Sequence, residues 1–143
     1  MSNLPPLIKK LNLLPIYLDI KIIDDASNDG TVDEIQKLIV GENLNNIEIH
    51  KRPSKLGLRS AYIFGFTKGL EEGYEIIVQM DGDGSHRPDD LVKLIWKLES
   101  DLANDLVIGS RWVQGGKFKI GQNTESISLV SQINTRPLCW DRR

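Results

Sequence analysis

The sequence predicts an α/β fold in which a parallel sheet is covered by helices on both faces. Helix-period and strand-type segments alternate as α-β-α-β-α-β-α-β from Leu4 to Gly109, the signature of such a sheet. The strand segments are short and nearly continuous in apolar residues, as strands buried between two helical layers are. Polar residues and glycines gather in the loops that follow the strands, the edge where open α/β sheets bind ligands.

Each element has its own local reason. Leu4, Leu7, Ile8 and Leu11 recur at helical spacing behind Asn3, a capping residue, and Pro5 and Pro6 fall in the first turn, where a missing N–H costs little. "LDIKIID" (18–24) is rich in isoleucine and runs into "DASNDG", a cluster of turn formers, so a strand feeds a loop. Thr31 and Glu34 have capping-box spacing ahead of Val32, Ile35 and Leu38. "IEIH" (47–50) reads as a short strand, "LRSAYIFGFTKGLEEG" (58–73) as a helix closed by Gly73, and "EIIVQM" (75–80) as a buried strand. Pro88 starts a helix with Leu91, Leu94, Ile95 and Leu98 turned inward, and "DLVIG" (105–109) is a further strand. From 117 to 143 no period is strong enough to assign an element, and this segment is expected to be a divergent, poorly ordered basic tail after a domain spanning 1–116.

Composition excludes several classes. The chain has 143 residues, 40% hydrophobic and 27% charged, which is ordinary for one globular domain. A net charge of -2 without a basic cluster argues against nucleic acid as a partner. The single cysteine, Cys139, excludes an internal disulfide and a cysteine-built metal site. No apolar run approaches the roughly 18 to 20 residues that span a bilayer, and the N-terminus lacks a signal-peptide core, so the expectation is a cytoplasmic chain without a transmembrane segment.

The chemistry lies in the loops. Asp81 and Asp83 stand at alternate positions just past a strand, where two carboxylates repel unless a cation joins them. Oxygen ligands in small number suit Mg2+ or Mn2+, ions that complete their shell with water and a nucleotide's phosphates. Asp24 and Asp25 end the earlier strand in the same way, either to accept hydrogen bonds from a base or ribose or simply to form an Asx turn. Arg52 and Lys55 precede a helix start where phosphate can bind. Arg111 offers a guanidinium fork for phosphate or for an exposed salt bridge. His86 reads as a ligand or as a histidine satisfying local backbone groups, and Tyr62, Phe64, Phe66 and Trp96 read as core.

Together "IDDASNDGT", "KRPSKLGLRSAYIFGFTKGL", "QMDGDGSHRPDDL" and "DLVIGSRWVQGG" resemble the inverting family 2 glycosyltransferases, and among them the polyprenol-phosphate (dolichol-phosphate) mannose synthases. The resemblance implies a GT-A fold and transfer of mannose from GDP-mannose to a polyprenyl phosphate with inversion. It implies that Asp24 and Asp25 contact the nucleoside, and that Asp81 and Asp83 hold a divalent metal on the diphosphate with Ser85 as a third ligand position. Arg111 would meet the acceptor phosphate, at the inner face of a membrane to which the protein binds peripherally. The family's opening strand and "PTYNE"-type loop, and its segment beyond "GG", have no counterpart here, and Arg59 stands where glycine is usual. A GT-A domain lacking its first, central strand and its C-terminal part is therefore expected, with unpaired strand edges. The alternative is a non-catalytic or nucleotide-binding subunit completed by a second chain or a membrane protein partner.

Overall fold

The computed structural model describes residues 3–101, 103–110 and 127–133, the last as a backbone strand. Four helices, α1 (Leu4–Asn12), α2 (Thr31–Glu42), α3 (Leu58–Glu71) and α4 (Pro88–Glu99), and four strands, β1 (Asp19–Asp24), β2 (Ile47–Lys51), β3 (Ile76–Asp81) and β4 (Ile127–Ile133), follow the order α1-β1-α2-β2-α3-β3-α4-β4. The strands form one sheet in the order β2-β1-β4-β3. β1 and β2 are parallel, and β4 runs antiparallel to both β1 and β3, so β1, β2 and β3 point the same way.

Alternation along β1 sorts its side chains between two layers. Ile20 and Ile22 meet Leu4, Leu7, Ile8 and Leu11 of α1, Ile35 of α2 and Leu91 and Ile95 of α4 in the main core. Each fully buried aliphatic chain there contributes about 1.5–3 kcal/mol relative to exposure. Ile23 faces the other way, against Ala61 with Phe64 and Ile77, so α3 covers the second face. Helices thus lie on both faces, as the sequence predicts.

Lys21 also faces the α3 side and is buried. Its ammonium lies 2.6 Å from Glu48 of β2 and 2.7 Å from Glu72 at the end of α3. Burial pulls its pKa down, but hydrogen bonds and charge attraction from both glutamates outweigh that and raise it. One charged lysine therefore ties β1, β2 and the end of α3 together.

Four local expectations are corrected. α2 begins with Gly30, at φ 79°, as its cap, and the Asp29 carboxylate accepts from the Thr31 amide at 2.9 Å, replacing the Thr31–Glu34 box. Residues 105–110 form no strand, and Leu106 and Ile108 are exposed. The facing edges of β1 and β3, left without a partner in the sequence reading, both pair with β4, which lies inside the segment that shows no periodicity. Phe66 and Trp96, read as core, are exposed. Among the described residues, no helix is long and apolar enough to cross a membrane.

Candidate functional site

Because β1, β2 and β3 share one direction, their carboxyl ends meet on one edge, and the loops beginning at Asp24, Arg52 and Asp81 all leave from it. Asp24 is in register with Ile127 of β4 and Asp81 with its neighbour Ser128, so the two aspartates sit at nearly the same level. They are separated by two inter-strand spacings of about 4.8 Å each. That distance suits two contacts on one extended ligand.

The first two loops are fastened together. Asp25, buried, receives the amides of Leu56 at 3.1 Å and Gly57 at 2.8 Å and forms an ion pair with Arg52 at 2.9 Å. Arg52 is buried as well, and its guanidinium also donates to the Ser60 hydroxyl. Asp25, expected at the nucleoside, has its carboxylate engaged by the 52–57 loop. Asp24 is buried and accepts from the Ser27 amide at 3.3 Å and from the Ser27 hydroxyl, a local contact three residues on. Lys55 is exposed on the joined loop. Asp29 lies below the usual carboxylate range, chiefly through the Thr31 amide, with the Lys55 charge adding to the effect.

The acidic pair is held from several directions. Oδ1 of Asp81 accepts from the Tyr62 phenol at 2.7 Å and from the Gln79 amide at 3.1 Å. The Asp81 backbone N–H donates to Nδ1 of His86 at 3.0 Å. Of the two roles open to His86, the structure shows the backbone one. Asp83 follows in a turn completed by Gly84 at φ 79°, and its carbonyl accepts from the Asn3 amide at 2.9 Å, so the start of α1 abuts this loop. Asn3 thus serves the acidic loop and makes no side-chain cap on its own helix. Partial burial pushes the Asp83 pKa up, but the Ser85 hydroxyl and amide, the latter at 2.8 Å, and the nearby His86 hold it below the usual range.

Among the described residues, no group of three or more His, Cys, Asp or Glu side chains converges as a metal shell. The donors at the end of β3 are two carboxylates and the Ser85 hydroxyl, all hard oxygens. That set does not suit a dedicated protein cage, but it fits Mg2+ or Mn2+, which keep water and phosphate ligands. A cleft of about 290 Å³ lined by Leu11, Asn12, Tyr17 and Asn46 opens at the opposite, amino edge of the sheet, away from these groups.

Of the residues singled out in the sequence, Asp24, Asp25, Lys55, Asp81, Asp83 and Ser85 lie in the three loops of one edge. Arg111 lies outside the described residues. Tyr62 and Asn3 reach the acidic loop from other elements and Gln79 from β3 itself, and local spacing assigns this role to none of the three. The one usable signal is that Gln79 alternates with Asp81 on β3 and so shares its face.

The description "Glycosyl transferase family 2" matches residues 2–141. The chain is 42% identical over 118 residues to an undecaprenyl-phosphate mannosyltransferase of Micrococcus luteus, covering 82% of this chain and 46% of that protein. It is 39% identical to a polyprenol monophosphomannose synthase of Mycolicibacterium smegmatis (82% and 43%) and 33% identical to a dolichol-phosphate mannosyltransferase of Pyrococcus furiosus (82% and 32%). The chain thus spans less than half the length of these relatives. No solved structure gives a significant match. With the match running along nearly the whole chain, and with the acidic loops gathered on the carboxyl edge of an α/β sheet, the chain belongs to glycosyl transferase family 2.

Proposed function

We propose that this chain acts in the transfer of mannose from GDP-mannose to a polyprenyl phosphate, with inversion at the anomeric carbon. The observation that supports this most is the fixed Asp81–Asp83 loop at the carboxyl edge, in a chain 42% identical to an undecaprenyl-phosphate mannosyltransferase. Asp81, Asp83 and Ser85 would hold Mg2+ or Mn2+. A divalent ion bound there supplies Lewis-acid neutralisation of the leaving diphosphate.

The chain's own residues then bind and align. Asp24 and Asp25 shape the nucleoside end, Asp25 through the 52–57 loop that it holds, and exposed Lys55 on that loop meets phosphate. Arg111 takes the acceptor phosphate, the bidentate role for which a guanidinium is suited. A phosphate monoester has its second pKa near about 6, so it is already anionic at neutral pH and needs no general base. Holding the two substrates in line is the main task left to the protein. The acceptor's lipid tail places the reaction at a membrane surface, at the cytoplasmic face where the nucleotide sugar is available.

The test is incubation of the purified chain with radiolabelled GDP-mannose, undecaprenyl phosphate in detergent, and Mn2+. Label extracted into organic solvent, and lost on chelation or in Asp83→Asn, supports the proposal. Binding of GDP-mannose without any transfer, under conditions in which a full-length relative transfers, would overturn it in favour of a nucleotide-binding module completed by a second chain.

A further inference from the structure

We infer that Tyr62 of α3 is a positioning residue for Asp81, fixing one carboxylate oxygen so that the other is aimed at a divalent cation. This rests on the metal-dependent reading above and deepens it.

Ala61 is buried against Ile23 of β1, and Phe64 packs beside Ile77 of β3, so this turn of the helix is fixed over the sheet. Tyr62, between them in sequence, is thereby carried to the carboxyl end of β3, and its phenol donates to Oδ1 of Asp81 at 2.7 Å. Gln79, two residues earlier on β3, donates to the same oxygen at 3.1 Å.

A carboxylate offers about four lone-pair sites, two on each oxygen. With two donors on Oδ1, the sites on that oxygen are filled, and both donors are neutral, so the negative charge stays with the carboxylate. Among the described residues no donor meets Oδ2, whose lone pairs are left for a ligand. The backbone is fixed too, through the Asp81 N–H to His86 Nδ1 hydrogen bond. Side chain and backbone of Asp81 are thus held from α3, from β3 and from the loop.

Such an arrangement is of use to a cation with strict geometry. Mg2+ demands near-octahedral coordination at about 2.0–2.1 Å, and a carboxylate free to turn pays rotamer entropy on every binding event. Hydrogen bonds that orient a metal ligand are typically worth about 10- to 100-fold in metal affinity. Structural support alone does not require both donors to meet on one oxygen of the residue that ends the strand.

The test is titration of Mn2+ in the presence of GDP, followed by the electron paramagnetic resonance signal of free Mn2+, for the wild-type chain, Tyr62→Phe, Gln79→Leu, Asp81→Asn and the double variant Tyr62→Phe/Asp81→Asn. Tyr62→Phe removes one oxygen and keeps the ring. It is expected to weaken Mn2+ binding by about 10-fold or more with an unchanged circular dichroism spectrum, Gln79→Leu to act in the same direction, and Tyr62→Phe to have no further effect once Asp81 is Asn. Wild-type binding with unchanged affinity in Tyr62→Phe and Gln79→Leu overturns the inference and leaves the metal reading intact. An equal loss from Tyr62→Phe in the Asp81→Asn background assigns Tyr62 to folding and also overturns it. Absence of Mn2+ binding in the wild type overturns the metal reading and the inference with it.

Discussion

Asp25 and Arg52 are both more than nine-tenths buried or close to it, and their contact decides what the first two loops can do. A buried guanidinium that loses its carboxylate keeps its desolvation cost without compensation, which typically amounts to about 3–5 kcal/mol. Asp25→Ala is therefore expected to lower unfolding stability by about 3 kcal/mol in urea titrations and to loosen the 52–57 loop, whose amides at Leu56 and Gly57 lose their acceptor. A loss below about 0.5 kcal/mol, the range of ordinary surface substitutions, would show that the pair is not held as described. At this scale the sequence reveals residue types but not their partners. Asp24, Asp25, Asp81 and Asp83 announce themselves by following strands, whereas nothing in the spacing says that Asp25 turns inward to Arg52 or that Tyr62 reaches Asp81, 19 residues away.

Helices and strands were legible where their own side chains set the pattern. The buried stripe Leu4, Leu7, Ile8, Leu11 of α1 is the one read from its spacing. α3 ends as its Gly73 suggests: at φ 79° this glycine allows the Tyr74 amide to reach the Gly69 carbonyl and the Gly73 amide to reach Leu70, each at 3.1 Å. The start of α2 was misread because Asp29 and Gly30 together cap it more directly than Thr31 could. The link between elements has a pH signature. Lys21 ties β1 to β2 and α3, and the Tyr74 phenol beyond α3 donates to Asp19 at 2.8 Å. Both groups have raised pKa values in the folded chain, Lys21 through its two glutamates against opposing burial, Tyr74 through burial and then Asp19. Their stabilisation is fully present below the ordinary values of 10.5 and 10.0 and is lost as pH rises through the folded values. In that window the folded state binds more protons than the unfolded one, so stability must fall with pH. Denaturation midpoints are expected to decline above about pH 10, less steeply in Lys21→Met, and a flat alkaline profile in the wild type would contradict the described ties.

At the scale of the whole molecule, alternation of helices and strands was enough to give the layers and the edge that holds the candidate site. It was not enough to give the centre of the sheet. "ISLVSQI" (127–133) places Ser128, Ser131 and Gln132 among apolar residues without strict alternation, so its own pattern does not declare a strand. The open edges of β1 and β3 supply the reason, since an interior edge leaves backbone N–H and C=O groups that need partners. β4 meets that need on both sides, and in doing so sets the separation of Asp24 from Asp81. The proposed function requires that this edge bind a sugar nucleotide through a cation held by the acidic pair. The most direct measurement is isothermal titration of GDP-mannose into the purified chain with Mn2+, with chelator, and with the Asp81→Asn/Asp83→Asn variant. Binding is expected to need Mn2+ and to fall at least about 10-fold in the variant. Equal binding with and without Mn2+, unchanged in the variant, would contradict it.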